Sequence, residues 1–270
     1  MIKSLYVFSG RILLFIAVAI SLSACAPRVA VKPIPPDTPP SEVLKMATGK
    51  LQGLNGLKAS VKVTVQVKDR NPQTFDGVLY LKRPDSVRLT GLALMGFTVF
   101  DVVLTGEKFY FYQPSDGYLY TGRRAALAGF LKGRGVDVDP EDIGRALFLD
   151  EAAEAKYRYF VEKTPEGYEI YSLSAKDGLM TPVLKSVYDP GLELMKEIFY
   201  DDSGKPYLSV QPTDMKDVGG FRLPGMIKAT DTRSGYAVTV DFEKYLVNPE
   251  GIESDFTIQG GELKGIREVE

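Results

Sequence analysis

Residues 59–68 read ASVKVTVQVK, and this stretch decides the fold class. Valine stands at every second position from 61 to 67, with lysine, threonine and glutamine between the valines. Successive side chains of a β-strand point to opposite faces, so this alternation indicates a strand with one buried face. The stretch therefore predicts a β-strand that packs against a hydrophobic core.

Further strand-like segments extend along most of the chain on both sides of this stretch. They are short, apolar or alternating, and turn compositions such as PSDG at 114–117 and DDSG at 201–204 separate them. The last of these segments is 254–259, and the polar tail after it is expected to be frayed. Many short strands with short connections favour one antiparallel meander that curls into a barrel-like sheet.

Three segments carry a helical pattern instead. Residues 41–53 place apolar side chains at steps of three and four, and Ser41 can cap the first turn. Residues 123–132 and 139–148 each have one apolar face, and the second begins with Asp-Pro-Glu-Asp, which is typical of a helix start. The sequence thus predicts a mainly β fold with a few short helices.

The N-terminal residues resemble a bacterial lipoprotein export signal. Lys3 and Arg11 precede or flank a short apolar run at 12–20, and Leu-Ser-Ala-Cys follows at 22–25. Cys25 is the only cysteine of the chain, so it cannot form an internal disulfide, and lipid attachment would account for it. The alternative is an ordinary signal peptide, or a membrane anchor, with a chance cysteine.

This interpretation divides the chain into four parts. Residues 1–24 are the expected lipoprotein signal peptide, and 25–40 are the lipidated cysteine with a proline-rich tether. Residues 41–259 are the expected folded domain, and 260–270 are the polar tail. Removal of residues 1–24 takes away Lys3 and Arg11 and changes the formal net charge from −2 to −4.

Composition argues against several classes of function. The chain has no histidine, and its sole cysteine is assigned to lipid, so the usual general base, thiolate nucleophile and zinc ligands are missing. No G-x-S-x-G motif occurs, and no basic stripe suggests nucleic-acid binding. We therefore expect no enzymatic activity, no metal, no cofactor and no nucleic-acid partner.

Three stretches, taken in order, resemble the LolA/LolB family of periplasmic lipoprotein carriers and outer-membrane receptors. The first is DSVRLTGLALMGFTVF at 85–100, which is similar to a strand, a protruding apolar loop and a strand. The second is 127–147, similar to the family's lid of helix, glycine-bearing loop and helix. The third is 221–258, similar to the closing strands. Because the chain carries a lipidation signal, it is nearer to the lipidated receptor LolB than to the soluble carrier.

The resemblance implies an incomplete antiparallel β-barrel of roughly 11–12 strands, with a helical lid over a hydrophobic cavity. It implies membrane lipid, lipoprotein cargo and a soluble periplasmic LolA-like carrier as partners, and an outer-membrane location facing the periplasm. Met95 falls on the family's protruding leucine, with Leu94 as the alternative wedge, and methionine is a flexible apolar side chain that suits such a role. The candidate lipid-binding lid residues are Leu127, Phe130, Leu131, Ile143 and Leu147.

Two alternatives remain open from the residues alone. The candidate residues of the loop and lid could instead be ordinary core, because a helix or strand buries an apolar face somewhere in any case. The chain could also be a structural or assembly lipoprotein of the outer membrane that uses the half-barrel to dock a protein partner. A large apolar cavity would favour lipid binding, whereas an exposed strand edge or groove would favour docking.

Overall fold

The structure is a computed structural model, and it describes residues 33–133, 157–176, 178–258 and 263–270. Residues Ile34–Glu270 form one compact unit. Both clusters of buried apolar side chains lie within this unit. In the described ranges, no helix combines the length and the apolar character that crossing a membrane requires.

The described residues contain two short α-helices and sixteen strands. Helix α1 covers Pro40–Thr48 and continues into a 3₁₀ turn at Gly49–Leu51. Helix α2 covers Leu127–Lys132 and follows a 3₁₀ turn at Arg124–Ala126. The strands are β1 Gly56–Val67, β2 Gln73–Lys82, β3 Ser86–Leu92, β4 Thr98–Thr105, β5 Lys108–Gln113, β6 Tyr118–Arg123, β7 Arg158–Thr164, β8 Gly167–Lys176, β9 Leu179–Tyr188, β10 Leu194–Tyr200, β11 Pro206–Thr213, β12 Lys216–Val218, β13 Phe221–Leu223, β14 Met226–Asp231, β15 Tyr236–Val247 and β16 Gly265–Val269.

Fourteen strands form one sheet in the order β16-β6-β5-β4-β3-β2-β1-β15-β14-β11-β10-β9-β8-β7. Neighbouring strands are antiparallel, except that β16 runs parallel to β6. Strands β7 and β16 lie at opposite ends of this order, so the described sheet is open. The predicted mainly β fold, an incomplete antiparallel barrel with short helices, is confirmed, with more strands than the roughly 11–12 expected.

Strand β1 lies at the middle of the sheet, and its burial follows the alternation that predicted it. Val61 and Val63 are buried, whereas Lys62 between them is exposed. The strand pairs with β2 on one side and with β15 on the other. These buried valines belong to the larger core cluster, which extends from β1 to the aromatic side chains of β5 and β6. The stretch ASVKVTVQVK therefore forms the centre of the fold.

Two of the three predicted helices lie in the described chain. Helix α1 and its 3₁₀ turn extend from Pro40 to Leu51, close to the predicted 41–53, but Ser41 lies inside the helix and does not cap it. Val43 and Ala47 are buried in a second, smaller core cluster with side chains of β8 and β9. Helix α2 and the turn before it cover most of the predicted 123–132. The predicted helix at 139–148 lies outside the described residues.

The predicted strand at 254–259 is wrong, because Ile252–Phe256 form a 3₁₀ helix. Strand β15, which precedes it, pairs with β1 from Tyr236 to Val247 but with β14 only from Tyr236 to Asp241. Ile252 is buried, and the Asp255 carbonyl accepts a short hydrogen bond from the Arg88 side chain. The segment therefore packs on the sheet instead of joining it.

The tail that we expected to be frayed instead forms β16. Its residues pair with β6 from Gly265 to Val269, so the sheet extends beyond the expected domain end at 259. The Arg267 guanidinium lies 3.5 Å from the centre of the Tyr118 ring, a cation–π contact that adds to the backbone pairing. Polar composition alone suggested fraying, but the open edge of β6 supplies hydrogen-bond partners.

Gly122 provides a test of this edge pairing. A methyl group at Gly122 would lie against the Val269 backbone oxygen and 2.9 Å from the Phe109 ring. We expect Gly122→Ala to lower the free energy of unfolding by about 1–3 kcal/mol and to speed amide exchange at 265–269. Gly129→Ala is the matched control, because a methyl there meets nothing within 4 Å and alanine favours a helix. Unchanged exchange in Gly122→Ala would contradict the pairing.

Candidate functional site

An apolar cavity of about 110 Å³ lies between the end of the first helical segment and the sheet. Strands from the middle and from the β9–β11 side of the sheet supply most of its wall. Its apolar lining residues are Ala47, Leu51, Leu54, Leu57, Leu81, Leu192, Leu194, Val210, Pro212, Met215, Leu223, Pro224, Ile227 and Phe242. Such a lining favours a ligand that is itself largely apolar.

Charged side chains lie on one part of the cavity wall. The Lys50 ammonium donates hydrogen bonds to the Gly191 carbonyl at 3.0 Å and to the Leu192 carbonyl at 2.5 Å. Partial burial lowers the pKa of Lys50, while Asp189 and Glu193 oppose that shift. Although its ammonium group is partly buried, Lys50 as a whole residue is exposed to solvent. We therefore take this part of the wall as the mouth of the cavity.

A second cation at the mouth is held by two acids. Arg222 Nε donates to Glu193 at 2.9 Å, and Arg222 Nη1 donates to Asp217 at 3.1 Å. Hydrogen bonding and charge from these two carboxylates raise the pKa of Arg222. The mouth is therefore polar and internally paired, in contrast to the wall behind it.

One acidic side chain lies deep in the wall. Glu197 on β10 is 3% exposed, and Ser186 on the neighbouring β9 donates a 3.4 Å hydrogen bond to its carboxyl group. Burial raises the pKa of Glu197 to about 8. Burial also raises the pKa of Tyr188, which lines the same cavity. At neutral pH the interior thus presents a carboxyl that is mostly uncharged.

Polar contacts at the end of β15 and at the residue that follows it hold another part of the cavity wall in place. The Tyr245 hydroxyl donates a short hydrogen bond to the Pro224 carbonyl, and its ring stacks on Phe242 with centroids 5.2 Å apart. The Asn248 side chain accepts from two backbone amides, at Asn55 (2.8 Å) and at Gly56 (3.0 Å), and donates to the Gly53 carbonyl at 2.8 Å. These bonds hold the start of β1 against the end of β15.

The predicted wedge residue Met95 lies at the tip of the β3–β4 connection. Its side chain is 92% exposed, and that of Phe97 is 67% exposed. The loop is tight, because the Ala93 amide donates to the Phe97 carbonyl at 2.8 Å and the Gly96 amide donates to the Ala93 carbonyl at 3.0 Å. Met95 has φ +68°, a left-handed conformation that bulky side chains seldom adopt. The alternative wedge Leu94 belongs to the same turn.

The predicted lid residues of α2 lie in the core. Leu127 is buried, and Phe130 packs its ring against Phe109, Phe111 and Tyr120 at centroid distances of 5.0–5.6 Å. Leu131 is half-buried against the same cluster. None of the three lines the cavity described above. The other predicted residues, Cys25, Ile143 and Leu147, lie outside the described residues.

Sequence reasoning missed the cavity wall, above all Glu197. In LMKEIFY at 194–200 the alternation does not show which face is buried, and an isolated glutamate suggests the solvent-facing side. A register shift between Leu194 and Lys196 lies at the start of the strand, and Glu197 and Phe199 are buried. Ser186 on the neighbouring strand β9 is the polar partner of Glu197, but a serine within a strand is only a weak sequence signal for a buried acid.

Among the described residues, no group of three or more acidic, histidine or cysteine side chains is placed to hold a metal ion. The cavity combines an apolar lining with one buried carboxyl. It can surround an apolar group and offer that group one buried hydrogen-bonding carboxyl.

No protein-family model matches the chain, and neither does the sequence of any curated protein. Solved structures do match. A LolA superfamily protein from Nitrosomonas europaea has a TM-score of 0.56 at 13% identity over 82% of this chain and 98% of that one. A putative outer membrane lipoprotein-sorting protein domain from Vibrio parahaemolyticus has a TM-score of 0.55 at 11% identity, over 80% and 94%.

A DUF1329 family protein from Desulfovibrio piger has a TM-score of 0.60 at 12% identity, over 81% of this chain and 97% of that one. At such low identity these likenesses concern the fold, and each covers nearly the whole of the other chain. The open sheet described above is therefore a LolA-like fold.

Proposed function

We propose that this chain is a membrane-anchored lipoprotein that binds acyl chains of lipids or lipoproteins and helps to receive and insert them at the outer membrane. The observation that carries the proposal is the apolar cavity, with its polar mouth, on an open LolA-like sheet. Transfer of an acyl chain depends only on relative affinity and needs no catalytic residue. An enzymatic role is not part of the proposal.

The size of the cavity supports binding of part of an acyl chain. One buried water needs about 10–15 Å³ of such space, so about 110 Å³ accommodates on the order of eight groups of that size. An acyl chain has on the order of 15 methylenes, each worth about 0.8 kcal/mol when removed from water. Binding a whole chain would therefore require the cavity to enlarge.

The remaining parts of the proposal concern the anchor and the partners. Lipid on Cys25 would hold the chain at the membrane, where two or more acyl chains give stable attachment. A LolB-like role would place it on the periplasmic side of the outer membrane, receiving lipoprotein cargo from a soluble LolA-like carrier. The exposed Met95 and Phe97 would then contact the bilayer during delivery.

Filling the cavity tests the proposal. Val210 is buried in the wall, so Val210→Phe puts a ring into the space. Using the chain from Ala26 onward, we expect a fluorescent fatty-acid probe to bind saturably and Val210→Phe to weaken that binding about tenfold, because the ring removes a few methylenes' worth of burial. Fluorescence titration measures the change.

Val210→Ile is the matched control, since it adds one methylene at the same position and should keep affinity within about threefold. Far-ultraviolet circular dichroism and thermal unfolding establish that both variants remain folded. Absence of saturable binding by the folded, unchanged chain would reject the proposed function. Equal binding by the Phe and Ile variants would place the ligand elsewhere.

A second candidate function is docking of a protein partner. Among the described residues, β7 has β8 as its one neighbour in the sheet, so no strand pairs with its other edge. Phe160 on β7 is 54% exposed. An open strand edge can accept a strand from another chain. Loss of partner capture on Phe160→Asp, with acyl-probe binding unchanged, would favour this candidate.

A further inference from the structure

The position of Glu197 calls for a physical explanation. Its side chain is almost fully buried and lines a wall that is otherwise built mostly from leucine, valine, proline and phenylalanine. A carboxyl removed from water is costly unless it is hydrogen-bonded. An apolar residue at the same point would avoid that cost, so the wall carries a group that packing alone does not require.

The bonding of Glu197 leaves capacity for a ligand. In the described part of the chain, its one hydrogen bond is the 3.4 Å contact with Ser186, which is long for an oxygen pair. A neutral carboxyl offers one O–H donor as well as acceptor positions. A carbonyl oxygen of a ligand in the cavity would be a suitable acceptor for this donor.

The other ionisable groups of the wall do not neutralise Glu197. Lys50, Glu193 and Arg222 are occupied with backbone or with each other at the mouth. Tyr188 and Tyr245 line the interior, and burial raises the pKa of each, so both stay neutral. Burial likewise raises the pKa of Glu197 to about 8, and the carboxyl is thus mainly protonated at pH 7.

We propose that Glu197 donates a hydrogen bond from its carboxyl group to the carbonyl oxygen of an acyl ester or amide whose chain occupies the cavity. This inference rests on the proposed function and narrows its ligand class from any apolar molecule to an acyl carbonyl compound. Two natural sources share that chemistry: the ester-linked chains of lipids, and the amide-linked chain on a lipoprotein cysteine.

Displacement of the fluorescent probe by three ligands of matched length tests the inference. These are methyl dodecanoate, N-methyl dodecanamide and n-tetradecane, added to the chain from Ala26 onward. We expect the two carbonyl compounds to displace the probe about tenfold more effectively than the alkane, because one buried hydrogen bond is made only with them. A preference between ester and amide then separates the two sources.

Variants at Glu197 assign this preference to the carboxyl. Glu197→Gln keeps an N–H donor and should retain most of it, whereas Glu197→Leu should bind the alkane at least as well and lose the preference. Glu169→Gln on β8, a carboxyl that is not among the residues lining the cavity, is the control that should leave the preference unchanged. The preference of the unchanged chain should fall between pH 6.5 and 9, since an ionised carboxyl cannot donate, and that of Glu197→Gln should stay constant.

Three results would overturn the inference. Equal affinity for ester and alkane in the unchanged chain would show that no carbonyl is recognised. An unaltered preference in Glu197→Leu would assign it to another group. Tighter binding of dodecylamine than of the ester, growing with pH, would show that an ionised Glu197 binds a cation. If the folded chain binds none of these ligands or the probe, the proposed function fails as well.

Discussion

Met95→Asp is expected to keep fatty-acid probe binding within about twofold of the unchanged chain but to lower transfer into liposomes by about tenfold or more. Met95 is not among the residues that line the apolar cavity, so the substitution should leave probe binding nearly unchanged. Insertion of a Met side chain into a bilayer is worth about 1.5–3 kcal/mol, and a charged group reverses the sign of that contribution. Each 1.4 kcal/mol corresponds to about a tenfold change.

The conformation of the loop makes Met95 a favourable position for this test. A non-glycine residue at φ +68° is uncommon, and a long apolar side chain that is 92% exposed gains nothing from packing. Aspartate adopts this conformation more readily than methionine does. Met95→Asp should therefore fold at least as well as the unchanged chain, so a loss of transfer would report on the membrane step.

The matched control places the same charge on another exposed apolar residue. Leu179 at the start of β9 is 70% exposed, and Leu179→Asp should transfer the probe at the unchanged rate. Transfer is followed by energy transfer to a bilayer acceptor, and binding by titration without liposomes. Normal transfer by Met95→Asp would show that the wedge assignment is wrong, and equal losses in both variants would indicate a general charge effect.

The sequence predicted the centre of the fold better than its margins. Alternation at Val61 and Val63 is a local property, because one buried face is enough to produce it. The pairing of β16 with β6 joins residues more than a hundred positions apart. Nothing local in a polar tail shows which edge is free, so the segment was expected to fray. The 3₁₀ helix at Ile252–Phe256 is missed for the same non-local reason, because its contacts, such as that of the Asp255 carbonyl with Arg88, join residues far apart in the sequence.

The site was less predictable than the fold. Leu127 and Phe130 were recognised as the buried face of a helix, but lining a cavity and packing a core give the same apolar pattern. The cavity wall collects residues from eight strands, from helix α1 and from its 3₁₀ turn, and their proximity depends largely on the order of strands in the sheet. Glu197 in particular looks like any exposed residue of an alternating strand until its burial is seen.

The second large effect concerns Glu197 and stability against pH. We expect Glu197→Gln to be more stable than the unchanged chain by roughly 4–5 kcal/mol at pH 8–9, because each unit by which the folded-state pKa exceeds the ordinary value corresponds to about 1.4 kcal/mol. Burial raises the pKa of Glu197 from its ordinary 4.5 to about 8. Between these two values the folded chain holds a proton that the unfolded chain has released. The contribution of the neutral Glu197 carboxyl to the free energy of unfolding is thus fully present below pH 4.5, and it is lost as the pH rises towards 8.

Urea unfolding at pH 5, 7 and 9 measures the difference between the two proteins, so that titrations common to both cancel. The difference should be small at pH 5, larger at pH 7 and largest at pH 9. Glu169→Gln is a control of opposite sign, because hydrogen bonds from Tyr171 and Lys185 lower the pKa of Glu169. Loss of the Glu169 carboxylate should lower the free energy of unfolding slightly at neutral pH. It should have no effect below the pKa of Glu169 in the folded chain.

A difference that stays constant from pH 5 to 9 would mean that Glu197 ionises normally, and the buried neutral carboxyl would be refuted. A difference that grows with pH would mean that the chain keeps a group in its cavity at a cost to its own stability. Leucine at this position would remove the cost and fill the wall equally well. The stability experiment measures how much the buried carboxyl destabilises the fold, and the ligand series measures what it recognises. A carboxyl that destabilises the fold and also selects carbonyl ligands is explained by binding, whereas one that only destabilises the fold is not.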